Sequence, residues 1–416
     1  MFHVNDTFFN ADDLQRYFRH FEAVPGLRGC HGQRYAICLA DAAEWLALCL
    51  YLRANGGSVM PLHPATPLKA ALRQARRGNC HQLLFHSLEE PISLTLRSGD
   101  TEAVLVQMSS GTTGEPKCIE RSWRSIDREV RAYIQHFPIA QTMQPVIACP
   151  VTHAYGLICG VLVALQRELM PIIVTNINPK YTLKKMAEHP QSLLYSSPVL
   201  INTLLKLLPP GQRLHAVMTS GAVMPAPCFD LLRQKADHCF QQYGCSEAGC
   251  IAINQDMQAA NELGKPLPHL QVRAGRKPGT PGEIQVKSGG RIINTRDFGV
   301  FDESGNLSFL ARLDDTIIVG GINVYPQEVE DVFLQRPEIT DAVVFKRPDE
   351  YAGERVCLKF VARIPLEISR LRSWSTAHLS PHQVPMDISQ VDDIPRLDNG
   401  KINRRQLIEE PQALSA

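Results

Sequence analysis

The chain has 416 residues, 44% of them hydrophobic and 20% charged, with a formal net charge of +1. That length suits more than one domain, the composition is ordinary for a soluble globular protein, and the near-zero charge argues against binding nucleic acid through a generally basic surface. Its 12 cysteines are scattered and form no C-x-x-C pair, which points to reduced core residues in a reducing cytoplasm and away from a cysteine metal site.

No basic stretch followed by an apolar one opens the chain, so no secretory signal is expected. Residues 1 to about 30 carry a weak helical pattern. From Arg34 strands and helices alternate. Residues 35–39 read as a strand, Asp41 as the N-cap of a buried helix through Leu52, and Asn55-Gly-Gly57 as its end. A strand over 58–62, a basic helix over 68–77 and a strand over 82–85 follow. The apolar run 103–106 is the next strand.

Directly after that run, Ser109, Ser110, Gly111, Thr112, Thr113 and Gly114 crowd hydroxyls and glycines into six positions, and Lys117 adds a positive charge. Consecutive N–H groups and hydroxyls converging on one point make an anion cradle, suited to a polyphosphate. The spacing differs from the G-x-x-x-x-G-K-[ST] loop of common NTPases. A flexible Ser/Gly linker is the competing reading of this stretch alone.

The alternation continues with a strand over 145–149, a loop over 150–156, a helix to about 166 and a strand over 170–174. The apolar window 146–165 contains Pro150, His153 and Gly156, so it reads as strand, loop and buried helix and not as a membrane span. Ser196-Ser-Pro198 opens a helix, 214–218 is a strand leading into Thr219-Ser-Gly-Ala222, and a helix over 226–235 precedes 239–247. Such alternation predicts an α/β domain with mostly parallel sheets, in which ligands gather at the carboxyl ends of strands. Three strand ends carry polar or glycine-rich loops: 109–117, 219–222 and 242–247. From Gly282 short strands predict a small β subdomain. A Gly320-Gly321 turn, a helix over 326–334, strands over 342–345 and 356–361, and a helix over 366–378 predict a small α+β domain. The expected division is 1–312 and 313–416.

With these loops side by side, the sequence resembles the adenylate-forming superfamily of acyl- and aryl-CoA synthetases, nonribosomal peptide synthetase adenylation domains and luciferases. The match spans roughly residues 34 to 409, with its motifs in order. Ser109-Ser-Gly-Thr-Thr-Gly-Glu-Pro-Lys117 looks like the phosphate loop and Tyr243-Gly-Cys-Ser-Glu247 like Y-G-x-[ST]-E. Thr295-Arg-Asp297 stands where T-G-D is usual, Arg312-Leu-Asp314 matches the hinge region, and Pro395-Arg-Leu-Asp-Asn-Gly-Lys401 looks like the motif of the catalytic lysine.

The resemblance implies an acid–thiol ligase that uses ATP and Mg²⁺. A carboxylate, aryl or fatty, attacks the α-phosphorus to give acyl-AMP, and a phosphopantetheine thiol then displaces AMP. The thiol belongs to CoA or, alternatively, to a stand-alone acyl carrier protein. The implied roles run along the chain. Loop 109–117 holds phosphates, with Thr112 contacting phosphate or the metal's water shell, and Glu247 helps hold Mg²⁺. Tyr243 stacks on adenine, bounded by Ser220, Gly221 and Ala222, with Gln242, Gly244 and Ser246 in the same nucleotide site. Asp297 accepts from the ribose hydroxyls, and Arg312 contacts ribose or phosphate. Lys401 offsets charge in the first half-reaction. His153, Tyr155, Gly156, Ser197 and Cys245 line the acyl pocket, Cys245 without acting as a nucleophile. Asp314 is the hinge of a mobile C-terminal domain, and Gly320 and Gly321 line the thiol's tunnel.

Departures stand beside these matches. Arg296 replaces the glycine of T-G-D, Ala311 replaces a frequent glycine, Ile318 stands where many relatives have a lysine, and the stretch before the phosphate loop is short. The last two motivate the reading from another class, a non-catalytic adenylate-binding regulatory protein.

Overall fold

The structure is a computed structural model that describes residues 1–94, 102–109, 117–176, 178–320, 322–396 and 402–409. At the N-terminus β1 (Phe2–Val4) and β2 (Thr7–Phe9) form a hairpin, and α1 (Ala11–Ala23) follows. The sequence pattern predicted only helix here. Three-residue strands carry too little periodicity to be read, and the turn rests on Asn5, whose backbone is left-handed at φ 53°, a region in which asparagine is enriched. Asn5 Oδ1 accepts Thr175 N at 3.0 Å, seating β1 parallel to residues Ile172–Ile173.

β3 (Arg34–Cys38), α2 (Ala42–Ala54), β4 (Ser58–Pro61), α3 (Leu68–Arg77) and β5 (Gln82–Phe85) keep the expected alternation. Asp41 caps α2, its carboxylate accepting Ala43 N at 2.7 Å and Glu44 N at 3.0 Å. With β6 (Ile92–Ser93), β7 (Val104–Ser109) and β8 (Lys117–Ser122) these strands form a six-stranded sheet in the order β6-β5-β3-β4-β7-β8. It is parallel inside and antiparallel at both edges. Ser109 pairs with Lys117 across the last two strands, so the loop between them closes a hairpin and does not lead into a helix.

Next come α4 (Trp123–His136), β9 (Gln144–Ile147), a π-helix (Tyr155–Leu162) continuing into α5 (Val163–Gln166), β10 (Ile172–Ile173), α6 (Pro179–Glu188), β11 (Ser192–Ser196), α7 (Pro198–Leu207) and β12 (Leu214–Thr219). α8 (Ala226–Lys235), β13 (Ala236–Cys245) and β14 (Gly249–Asn254) follow. One compact unit comprises Met1–Ser220, Ala236–Gln255 and Pro266–Gln271. Its second sheet runs β14-β13-β12-β11-β9-β10-β1-β2, parallel from β13 to β1. Tyr35, Ile37 and Leu105 of the first sheet and Ile147, Tyr195, Met218 and Phe240 of the second share one apolar cluster with Trp45, Tyr133 and Leu157. The layer of α2, α4 and the π-helix between two sheets is therefore the core, driven by removal of apolar surface from water. Among the described residues no helix is long and apolar enough to cross a membrane.

The second unit comprises Gly221–Lys235, Asp256–Lys265 and Val272–Ala416, and the boundary expected at 312/313 falls inside it. β15 (Glu262–Pro266), β16 (Gln271–Arg273), β17 (Gly282–Ser288), β18 (Arg291–Phe301) and β19 (Leu307–Arg312) supply its short strands, with β17-β18-β19-β15 antiparallel neighbours. Then follow β20 (Ile317–Val319), β21 (Ile322–Val324), α9 (Pro326–Leu334), β22 (Ile339–Asp349), β23 (Gly353–Ala362), α10 (Ile368–His378), β24 (Asp387–Gln390) and α11 (Arg404–Glu409). The order β21-β20-β23-β22, with β24 parallel beside β23, is the expected α+β sheet. Val329 and Phe333 of α9 and Leu371 of α10 cover it together with Val344, Leu358 and Phe360.

Arg404 is not part of a loose basic tail. Its guanidinium donates to Glu330 Oε1 at 2.6 Å and to Val344 O at 3.1 Å. Glu330, 4% exposed, also accepts Val344 N at 2.8 Å. Removing one partner of a buried pair typically costs about 3–5 kcal/mol, and Arg404 keeps some exposure, so Arg404→Met is expected to lose about 2–3 kcal/mol in urea unfolding. An unchanged urea midpoint would show the pair to be idle.

Candidate active site

In the first unit β9, β11, β12 and β13 run parallel and end along one rim, the edge at which such sheets hold ligands. Tyr155 opens the π-helix, a local geometry frequent at functional sites, and donates its hydroxyl to Met218 O at 2.6 Å. Burial pushes the pKa of that hydroxyl up, so it stays protonated. Ser196 Oγ donates to Ala148 O at 3.2 Å. His153 is exposed in the loop after β9, its carbonyl accepting Leu157 N at 2.9 Å. Gly156 is buried one residue beyond Tyr155, and Ser197 is the N-cap residue of α7. His153, Tyr155, Gly156 and Ser197 thus lie at the ends of adjacent strands.

β13 carries the next group. It pairs antiparallel with β14, with a register shift between Tyr243 and Gly244. A Cβ at Gly244 would overlap the carbonyl of Gly249, so the close approach of the two strands requires glycine. Tyr243 is half-buried, while Ser246 and Glu247 occupy the turn into β14, with Glu247 exposed. Burial first, and the charge of Glu247 second, push the Cys245 thiol up to about 12. A thiol protonated at neutral pH is a poor nucleophile, as expected for Cys245. Among the described residues no basic side chain forms an ion pair with Glu247, and no group of three or more His, Cys, Asp or Glu could hold a metal.

Gln241 escaped the sequence reading, while Thr219 falls within the 219–222 loop that it marked. Ser196, Thr219 and Gln241 are register partners across β11, β12 and β13. Thr219 is 0% and Gln241 4% exposed, yet Thr219 Oγ1 and Gln241 Oε1 have no hydrogen-bond partner among the described residues. Unpartnered buried polar atoms are rare, and these two lie side by side where β12 ends against β13. The sequence reading chose Gln242, whose Oε1 accepts the Tyr133 hydroxyl at 2.9 Å inside the core. Strand alternation was the available signal: Phe240 and Gln242 share the core face, and Gln241 takes the other.

Ser220, Gly221 and Ala222 follow β12, with Gly221 left-handed at φ 91°. In the second unit Asp297 and Arg312 face each other across β18 and β19, Arg312 Nε lying 3.3 Å from Asp297 Oδ1. Asp297 is 8% exposed. The departure at Arg296 now has a backbone context: its φ is 60°, the conformation glycine adopts most readily. Its guanidinium forks onto Asp314, with Nε at 2.9 Å from Oδ2 and 3.1 Å from Oδ1. Gly320 is left-handed at φ 57°, and its N–H donates to Ala352 O at 2.9 Å. Ile318 is 50% exposed. Near it Lys346 Nζ reaches Thr316 O at 3.2 Å and Glu354 Oε1 at 3.1 Å.

The Ser109 backbone ends β7, and Lys117, exposed, opens β8. Ser110, Gly111, Thr112, Thr113, Gly114, Gly321 and Lys401 lie outside the described residues. Arg396 and Ile402, flanking the lysine motif, pair as an isolated antiparallel bridge.

Comparison with known proteins identifies relatives over nearly the whole chain. The AMP-binding enzyme family model matches residues 94–291, and its C-terminal domain model matches 328–401. A 3,4-dihydroxybenzoate–[aryl-carrier protein] ligase of Bacillus anthracis is 36% identical over 407 residues, 97% of this chain and 98% of that one. A 2-succinylbenzoate–CoA ligase of Lactococcus lactis is 25% identical over 340 residues, 76% of this chain and 73% of that one. In fold, the o-succinylbenzoate coenzyme A synthetase of Bacillus subtilis, solved with ATP and magnesium ion, superposes with a TM-score of 0.84 at 22% identity, covering 97% of this chain and 95% of that one. The chain belongs to the AMP-binding enzyme family and is a ligase of the adenylate-forming superfamily. The non-catalytic reading is set aside on that ground.

Proposed function

We propose that this ligase activates an aryl carboxylate with Mg·ATP and passes the acyl group to the phosphopantetheine thiol of a stand-alone carrier protein. The observation that carries the reading is 36% identity to an aryl-carrier protein ligase across nearly the whole of both chains. A carboxylate oxygen attacks the α-phosphorus and pyrophosphate leaves. The thiol then attacks the acyl carbon, AMP leaves, and the thiol proton is released.

In this reading loop 109–117 holds the departing phosphates and Lys401 balances charge on the attacking carboxylate and the α-phosphate. Asp297 and Arg312 serve ribose and phosphate, and Tyr243 the adenine face, with the unpartnered Gln241 Oε1 as an acceptor beside it. Glu247 fits Mg²⁺: it is an exposed carboxylate with no cationic partner among the described residues and no cluster of further protein ligands. Mg²⁺ prefers one or two carboxylates plus substrate phosphates and water, and when bound it supplies charge neutralisation at the phosphates. The aryl acid sits at the rim near Tyr155, Gly156, Ser197 and Cys245. Free cysteines throughout fit a reducing cytoplasm.

CoA is the second reading of the acceptor, favoured by the 25% identical CoA ligase. A panel of aryl and fatty acids read by ATP–pyrophosphate exchange identifies the substrate. Intact-mass spectrometry with phosphopantetheinylated carrier proteins and with CoA then identifies the acceptor. Acylation of a carrier by a hydroxylated benzoate is the expected result. Thioester formed only on CoA would overturn the carrier assignment, and a panel with no exchange at all would overturn the activity.

A further inference from the structure

The strand leaving the 109–117 loop and the turn carrying Glu247 are joined by a buried ion pair that no sequence motif marks. Arg121, four residues after Lys117, lies on β8, and its Nη2 donates to Glu129 Oε2 on α4. The two side chains are 7% and 2% exposed. Glu129 Oε1 in turn accepts the N–H of Cys250 at 2.7 Å, three residues past Glu247. Between them, Gly249 has φ 76°, and a Cβ there would overlap Glu129 Oε2 and both terminal nitrogens of Arg121. The turn therefore lies directly against the ion pair, and only glycine satisfies both its backbone and its contact.

This arrangement is costly to bury and expensive to leave incomplete. Two desolvated charges are tolerated only with good geometry and further hydrogen bonds. Here one carboxylate oxygen takes the guanidinium and the other takes the backbone of β14, so both oxygens are engaged. Arg121 Nη1 has no partner among the described residues. Replacing such a pair by apolar residues is often neutral for stability, which leaves its directionality as what the pair adds.

We infer that Glu129 and Arg121 form a clasp that holds the Glu247 turn in register with the phosphate-loop hairpin. Glu129 is then a positioning residue for binding of the metal–triphosphate. The second half of this inference rests on the reading of Glu247 as the carboxylate that holds Mg²⁺. The clasp joins the strand that leaves one of these loops to the turn that carries Glu247.

The test uses Glu129→Gln and the paired variant Arg121→Met/Glu129→Met, the latter retaining apolar packing should the single variant fail to fold. Hydrogen exchange of the free protein is expected to quicken in residues 245–251 of both variants, with β12 unchanged. Binding of ATP is then measured by thermal shift with EDTA and with Mg²⁺. The Mg²⁺-dependent part of the affinity is expected to fall about 10–100-fold, the usual effect of removing a residue that orients a metal ligand. The KM for the carboxylate should stay unchanged. Undisturbed exchange at 245–251 in both variants would overturn the clasp. Faster exchange there with wild-type Mg²⁺ dependence would reduce it to a structural pair and overturn the positioning role. A wild-type protein whose ATP binding ignores Mg²⁺ would instead sink the assignment of Glu247, and the exchange data would still decide whether the clasp holds the turn.

Discussion

Lys401→Ala is expected to lower carboxylate-dependent ATP–pyrophosphate exchange by about 10²–10³-fold or more, the usual effect of removing a preorganised group from developing charge. In the first half-reaction an anionic carboxylate approaches an already anionic phosphate, so the barrier is dominated by charge placed against charge. A long cationic side chain reaching both groups lowers that barrier without chemistry of its own. The second half-reaction, assayed with supplied acyl-adenylate, should be largely unaffected, because there a thiol attacks the acyl carbon, AMP leaves, and no carboxylate has to approach the phosphate.

The flanks of the motif make the variant interpretable. Arg396 pairs with Ile402, Asn403 N donates to Pro395 O at 2.8 Å, and Arg396 forms an ion pair with Asp341. The first two tie the flanks to each other, while Arg396 on Asp341 and Arg404 on Glu330 hold them to β22 and α9. Removing the Lys401 amine should therefore leave the unfolding midpoint where it was. Lys401→Arg keeps the charge with a different donor geometry and should fall between wild type and alanine. Exchange that survives in Lys401→Ala would transfer the role to another cation, with Lys346, beside the exposed Ile318, the first to examine.

Much of the fold was legible because its signals are local. Asp41 announced α2 through a carboxylate placed to cap two N–H groups, and α8 and α9 have the bounds that their patterns predicted. What escaped depends on partners far away in sequence. β1 and β2 are too short to show alternation and exist because residues Ile172–Ile173 offer an edge. β8 reads as a polar stretch, Lys117-Cys-Ile-Glu-Arg-Ser122, and is a strand because β7 lies beside it. The site shows the same split. Glycine and hydroxyl loops at strand ends could be read directly, whereas Gln241 differs from Gln242 only in which face of β13 it takes. The Arg121–Glu129 pair is visible only once α4 is packed against β8 and β14. Arg296 looked like a defect in a motif, yet its backbone keeps the left-handed turn and its side chain meets Asp314.

Asp314→Pro is expected to spare adenylate formation and to stop thioester formation. The proposed pivot requires the backbone torsions at 314 to change between the two half-reactions, a hinge with two working states. Proline locks φ near about −65° and removes the N–H. The Asp314 N–H makes no hydrogen bond among the described residues, so the substitution costs no backbone bond and acts through torsional stiffness. It also deletes the carboxylate that meets Arg296, and that loss needs its own control. The pair is solvent-exposed, with Arg296 at 53% and Asp314 at 29% side-chain exposure, which keeps its contribution to stability at about 0–1 kcal/mol. Asp314→Asn removes the charge and leaves φ free, so it should retain both half-reactions. Arg296 holds the Asp314 carboxyl below its usual 3.8. Such a depressed carboxylate contributes stability that is present above the unfolded pKa and lost only as pH falls through the folded one, so over about pH 6–8 the wild-type pair is intact and pH does not confound the comparison. Rapid-quench measurement of acyl-adenylate and of thioester separates the two steps. A proline variant equally slow in both would refute rotation about Asp314, and an asparagine variant that loses only the second step would move the cause from the torsion to the Arg296 contact.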